Sequence, residues 1–209
     1  HDGFTRTGMN VYLLFDPAGS KNKRSDYTSA WAVGLGPDRN VYVLDMIRDR
    51  LSLTQRCKLV MDWHRKWKPM SVNGVRYEQY ALQADIEHIR SEQERLQYRF
   101  PIVEVGGATP KANRIRRLVP SFAAGRWWLP NQLWYTNTAG ELVDLVHEFR
   151  ENEYKPFPVG RHDHILDALA RLFEPNEKQD PNLDLNWPGE NTAPPPVEAF
   201  APLDATVGY

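Results

Sequence analysis

Residues 11–28 read VYLLFDPAGSKNKRSDYT. Val11 to Phe15 is a short apolar and aromatic run, the signature of a buried strand. Asp16 ends it. Asp-Pro-Ala-Gly follows, which is turn chemistry, and then come Lys21, Lys23, Arg24 and a second carboxylate, Asp26. A strand that delivers a carboxylate into a basic loop has two readings. In one, Asp16 does no more than cap the turn. In the other, it holds a metal ion beside a phosphate that the basic residues also approach. Asp26 is read as a turn residue.

Working outward, SAWAVGLG (29–36) and VYVLDMIR (41–48) read as two further strands. GPDRN lies between them and is short enough for a hairpin. The first three strands therefore predict an antiparallel meander. Leu51 to Trp67 carries Leu51, Leu59, Val60, Trp63 and Trp67 at a spacing that predicts a helix packed on the sheet, with both tryptophans in the core. A strand over 71–78, interrupted by Asn73 and Gly74, is expected next. Then come a helix over 81–96, a strand at PIVEV (101–105), a helix over 112–122 and an edge strand at RWWLP (126–130). Helices over 140–150 and 162–173 complete the series. Three antiparallel strands followed by alternating helices and strands predict an α/β fold: a mixed sheet, antiparallel then parallel, with helices on both faces.

The chain has 209 residues, which suits one domain with a sizeable core. No apolar run approaches the ~18 residues of a membrane span. A single cysteine, Cys57, excludes an internal disulfide and a cysteine-based zinc site, as fits a reducing cytoplasm. A chain that opens on His1 without a signal peptide is expected to be a piece of a longer protein. There is no GxxxxGK[ST] and no GxGxxG, so neither an NTPase motor nor a dinucleotide site is signalled. The net charge of -1 hides an asymmetry. Residues 174–209 hold seven Asp/Glu and one Lys, net -6, leaving net +5 for residues 1–173. The same segment holds seven of the 16 prolines. That composition predicts a globular domain over 8–174 and an acidic, proline-rich flexible tail over 175–209.

Three carboxylates occupy comparable places. Asp16 follows the first strand, Glu78 follows the fourth in VRYEQYA, and Asp163 opens the last helix in GRHDHILDALA. Each has a plainer role by itself: a turn cap, an exposed strand-end acid, a helix N-cap favoured by the dipole. Asp167 lies one turn beyond Asp163 on the same helix face, as a second ligand or as a buried partner for an arginine. His162 and His164 read as surface histidines. Carboxylates that converge repel one another and call for a cation. Mg²⁺ or Mn²⁺ suits an all-oxygen site that leaves room for water and phosphate. Two such ions can stabilise both the attacking and the leaving oxygen of a phosphodiester.

Taken together, FDPAGSKNKRSDYTSAWAVG, VRYEQYA, KANRIRRLVPSFAAGRWWLP and GRHDHILDALARL resemble, in order and spacing, the C-terminal nuclease domain of the large terminase subunit of tailed bacteriophages. That family belongs to the ribonuclease H-like superfamily. The resemblance spans residues 11–173. It implies a ribonuclease H-like fold and a catalytic, metal-binding triad of Asp16, Glu78 and Asp163, with two divalent ions. It further implies double-stranded viral DNA as substrate. Its partners would be a portal protein, a small terminase subunit and an N-terminal ATPase domain, in the cytoplasm of an infected bacterial host. The family often has a second Asp directly after the first in its final motif. Here His164 stands there, which leaves Asp167 as the substitute ligand.

Lys21, Lys23, Arg24, Lys111, Arg114, Arg117 and Arg126 are the candidate DNA contacts. A charge run is commonly a solvated face, but beside a metal-ion nuclease site it suits phosphate. Trp127, Trp128 and Trp134 suggest base stacking, although at least one of the adjacent pair is expected in the core. Three other functions compete with a packaging endonuclease. A resolvase or transposase would need added DNA-recognition elements, and a catalytically degenerate DNA-docking module would not cut. An actin-like nucleotide fold would need glycine-rich phosphate loops that DPAGSKNK lacks.

Overall fold

A computed structural model describes residues 8–17, 27–70, 74–78, 83–106, 109–159, 164–173, 185, 187–188 and 200–203. The three apolar runs become strands β1 (Asn10–Asp16), β2 (Thr28–Leu35) and β3 (Val41–Asp49). They form an antiparallel meander in which Asp16 faces Ser29 and Ser29 faces Arg48. The GPDRN turn closes with Gly36 N–H donating to the Asn40 carbonyl at 2.9 Å. Helix α1 (Leu53–Trp67) starts at a capping box of Ser52 and Gln55 and stops where Lys68 turns left-handed at φ 42°.

Strand β4 (Val75–Glu78) lies parallel to β1, with Phe15 beside Tyr77. Gly74, which interrupts the sequence pattern, is required here. A Cβ at that position would sit 2.1 Å from the Met70 carbonyl oxygen. Helix α2 (Gln83–Arg95) leads to β5 (Val103–Val105), parallel to β4. The order β3-β2-β1-β4-β5, three antiparallel strands and then two parallel to the first, is the arrangement of a ribonuclease H-like α/β fold.

The remaining elements differ in part from expectation. The helix expected over 112–122 is two helices, α3 (Lys111–Arg116) and α4 (Val119–Ala123). Pro120 lacks an N–H and clashes within a helix, but it is accepted in the first turn of a new one. Strand β6 (Trp127–Pro130) runs parallel to β3. The helix expected over 140–150 begins with a strand. β7 (Trp134–Thr136) and β8 (Leu142–Asp144) form a separate hairpin. The Asn137 side chain bridges its turn by accepting from the N–H of Ala139 and Glu141, and Gly140 takes φ 83°. Helix α5 (Leu145–Phe149) continues into a π-helical turn, Arg150–Tyr154, and α6 (His164–Ala170) into a 3₁₀ turn, Arg171–Phe173.

The sheet alternation then fills two cores. Leu13 and Phe15 pack with α1 and α2, whereas Tyr12 and Leu14 pack with the layer of α3 to α6. Trp63, Trp67 and Trp127 are buried as expected, while Trp134 is exposed. The expected tail needs correction at its far end. β9 (Phe200–Pro202) pairs antiparallel with β6, so β6 is not an edge strand. Phe200 meets Tyr42 edge-on at 5.1 Å, Leu203 is buried, and Trp187 packs against the core under Arg39. Averaged composition conceals the four-residue run Phe200-Ala201-Pro202-Leu203. Pro202 is acceptable at a sheet edge, where no ladder N–H is needed.

Candidate active site

The parallel register of β1 and β4 sets Asp16 and Glu78 side by side at the carboxyl ends of adjacent strands. This is where ligands enter open α/β sheets. β1 there has an antiparallel neighbour on one side and a parallel one on the other. The two carboxyls are hydrogen-bonded to each other and shifted in opposite directions. Burial, the hydrogen bond to Glu78 and the charges of Glu78 and Asp167 push Asp16 well above the usual carboxylate range. Burial also pushes Glu78 up, but the bond from Asp16 and the charges of Arg171 and Arg114 outweigh it and hold Glu78 low.

Two buried guanidinium groups neutralise this corner. Arg171 is fully buried and donates to Glu78 Oε1. Arg114 grips Asp167 with both arms, Nε to Oδ1 at 3.0 Å and Nη2 to Oδ2 at 2.8 Å. Its remaining nitrogen reaches the Thr109 carbonyl at 2.8 Å. Both oxygens of Asp167 are therefore engaged. The alternative of a buried arginine partner describes Asp167 better than that of a substitute ligand. Sequence reasoning missed Arg171, although it stands four residues after Asp167 and so on the same helix face.

Charged side chains hold α6 at both ends. At its start, the buried Glu153 carboxylate accepts from the N–H of Ile165 at 2.7 Å and of Leu166 at 3.1 Å. Arg48 braces Glu153 at 3.8 Å, and its guanidinium lies 4.1 Å from the Tyr27 ring. Just beyond its end, Arg76 donates to the carbonyls of Arg171 and Leu172 at 2.8 and 2.6 Å. Anion at the N-terminus and cation at the C-terminus is the arrangement the helix dipole favours. Arg76 stands two residues before Glu78 and so on the same face of β4. On the opposite face, Tyr77 and Arg56 both donate to the buried Asp85, which fastens α1 and α2 beneath the strand.

The candidate DNA contacts separate by burial. Lys111 is a third exposed and lies 3.8 Å from Asp167, and Arg117 is exposed. Arg114 is buried and committed to Asp167, which removes it from the set of phosphate contacts. Arg126 is exposed but at the wrong end of the sheet. It precedes Trp127, which pairs with Val41 and, through Leu35, aligns with Asn10. Asn10 is six residues from Asp16, roughly 20 Å along a strand. Arg126 instead donates to the Arg39 carbonyl at 3.2 Å. Lys21, Lys23, Arg24, Asp26, His162 and Asp163 lie outside the described residues.

Among the described residues no group of three or more His, Cys, Asp or Glu is gathered for a metal ion. The pair that is present fits a hard divalent cation in its chemistry: two carboxylates close enough to share a proton, with oxygen donors only. Among the described residues no helix is long and apolar enough to cross a membrane. No protein-family model matches the chain, and no curated protein matches it.

Proposed function

We propose that this chain is a divalent-metal-dependent endonuclease that hydrolyses phosphodiester bonds of double-stranded DNA with little sequence preference. Its role would be that of the nuclease domain of a large terminase subunit in viral genome packaging. The observation that carries this reading is the juxtaposition of Asp16 and Glu78 at the ends of parallel strands in a ribonuclease H-like sheet. The sequence adds Asp163, the residue directly before α6. Asp16, Glu78 and Asp163 would hold two Mg²⁺ or Mn²⁺ ions, which supply an activated water and neutralise charge at the phosphate. Binding them would favour the ionised form of Asp16, which burial and the neighbouring acids disfavour. Lys111 and Arg117 offer exposed positive charge on and beside α3, which Arg114 ties to α6. Such contacts set affinity and register without reading bases. Portal protein, small subunit and an ATPase domain are the partners this role requires, and the bacterial host cytoplasm is its setting.

Digestion of supercoiled plasmid with and without Mn²⁺ tests the reading. Wild type is expected to nick and linearise DNA only with the metal, and Asp16→Asn to do neither while remaining folded. Metal-independent cutting, or full activity in Asp16→Asn, sinks the assignment. The engagement of Asp167 by Arg114 and of Glu78 by Arg171 favours one second reading, a DNA-docking module that does not cut. It predicts DNA binding with no cleavage under any metal.

A further inference from the structure

Arg171 is a buried charge in direct contact with the acidic pair. It is fully enclosed and sits in the 3₁₀ turn that ends α6. Its guanidinium donates to Glu78 Oε1, one of the two carboxylates of the acidic pair. Its own backbone carbonyl is fastened to β4 by Arg76, two residues from Glu78, at 2.8 Å. Side chain and main chain are thus both tied to the strand that ends in Glu78. Arg114 adds a second positive charge near the pair. The metal-free corner is therefore already compensated by cations belonging to the protein.

We propose that Arg171 is a positioning residue that holds the Glu78 carboxylate in place and competes with a divalent cation for it, so that it sets the metal affinity of the site. This rests on the endonuclease reading and deepens it. A cation entering beside Asp16 meets a carboxylate already bonded to a guanidinium. It gains Glu78 only by displacing or sharing that bond, while also facing Arg171's charge at short range. Unit charges a few ångströms apart in a part-buried site repel strongly enough to change an equilibrium constant by tenfold or more. The site is consequently held in shape without metal, at the cost of weak binding.

Mn²⁺ affinity, measured by calorimetry without DNA in mildly alkaline buffer, tests this on wild type, Arg171→Met, Arg171→Lys and Asp16→Asn. Arg171→Met is expected to bind Mn²⁺ about tenfold or more tightly than wild type. Its melting temperature should fall without metal and rise further on adding it. Arg171→Lys keeps the charge and is expected to stay within about threefold of wild type. Equal or weaker binding by Arg171→Met overturns the proposal, provided wild type binds and Asp16→Asn does not. Failure of both Arg171 variants to fold with or without Mn²⁺ also overturns it, since Arg171 would then serve folding alone. Mn²⁺ binding that is absent from wild type, or unaffected by Asp16→Asn, overturns the metal-site reading itself.

Discussion

Asp16 and Glu78 have the same functional group, lie on neighbouring strands and are pushed in opposite directions. The difference lies in what each touches. Glu78 has Arg171 as a hydrogen-bond donor, whereas Asp16 faces burial and two other acids, offset in part by the charge of Arg171. Without metal, Asp16 is therefore a cost to the fold at neutral pH, because folding disfavours the ionised form that the unfolded chain adopts. Replacing it by Asn removes the ionisable group and keeps the shape. Asp16→Asn is expected to raise the metal-free melting temperature, by about 2–4 °C for each kcal/mol of repulsion relieved. Differential scanning calorimetry with chelator present checks this, and a lower melting temperature contradicts it.

At the scale of elements, α6 has seven described residues, too few to be stable alone. Its position comes from Glu153 before it, Arg76 after it and the Arg114–Asp167 pair along its side. Removing one partner of a buried pair strands the other charge. Asp167→Ala is expected to cost about 3–5 kcal/mol of stability, read as a lower urea midpoint. Asp167→Asn, which keeps one acceptor for Arg114, should cost less. An Asp167→Ala midpoint equal to wild type shows that Arg114 finds other partners and that the pair does not hold α6. The same pair links α3 to the acidic corner. Of the basic cluster, only the exposed members can then meet phosphate. Neutralising Lys111 and Arg117 together should lower the magnitude of the slope of log affinity against log salt by up to about 2. Adding Arg114 should lower stability rather than lower the slope further.

At the scale of the whole molecule, the sheet is completed by residues far along the chain. β9 covers the outer edge of β6 and places Phe200 in one core and Leu203 in the other. Truncation before Phe200 uncovers the hydrogen-bonding edge of β6 and part of both cores. Phe200→Ala alone is expected to cost about 3–5 kcal/mol, the usual loss for a buried phenyl ring. Deletion of residues 175–209 is therefore predicted to lower the melting temperature, and Phe200→Ala to reproduce much of that loss. A truncated chain as stable as the full one contradicts the role of β9.

The three-stranded meander and the strand-end places of Asp16 and Glu78 were legible in the sequence because they follow from local pattern. Apolar runs of strand length, the GPDRN turn and acids at run ends are readable without knowing what packs where. The β7–β8 hairpin was not legible, since three-residue strands are too short to show a period. Pro120 in the expected helix and the Asn137–Gly140 turn were the signals available. What only the tertiary structure decided is which charges are solvated. Lys111, Arg114, Arg117 and Arg126 are one class of residue in the sequence, yet one is locked to Asp167 and another lies at the far end of the sheet. Arg171 and Glu153 look like ordinary helix-surface charges until their partners arrive from distant segments, and only the arrival of Arg114 decides between the two readings of Asp167. Composition likewise averaged away Phe200 to Leu203, whose fate depended on an open strand edge more than seventy positions earlier. Local propensity is carried by neighbours in the chain, whereas pairing and desolvation depend on residues that only folding brings together.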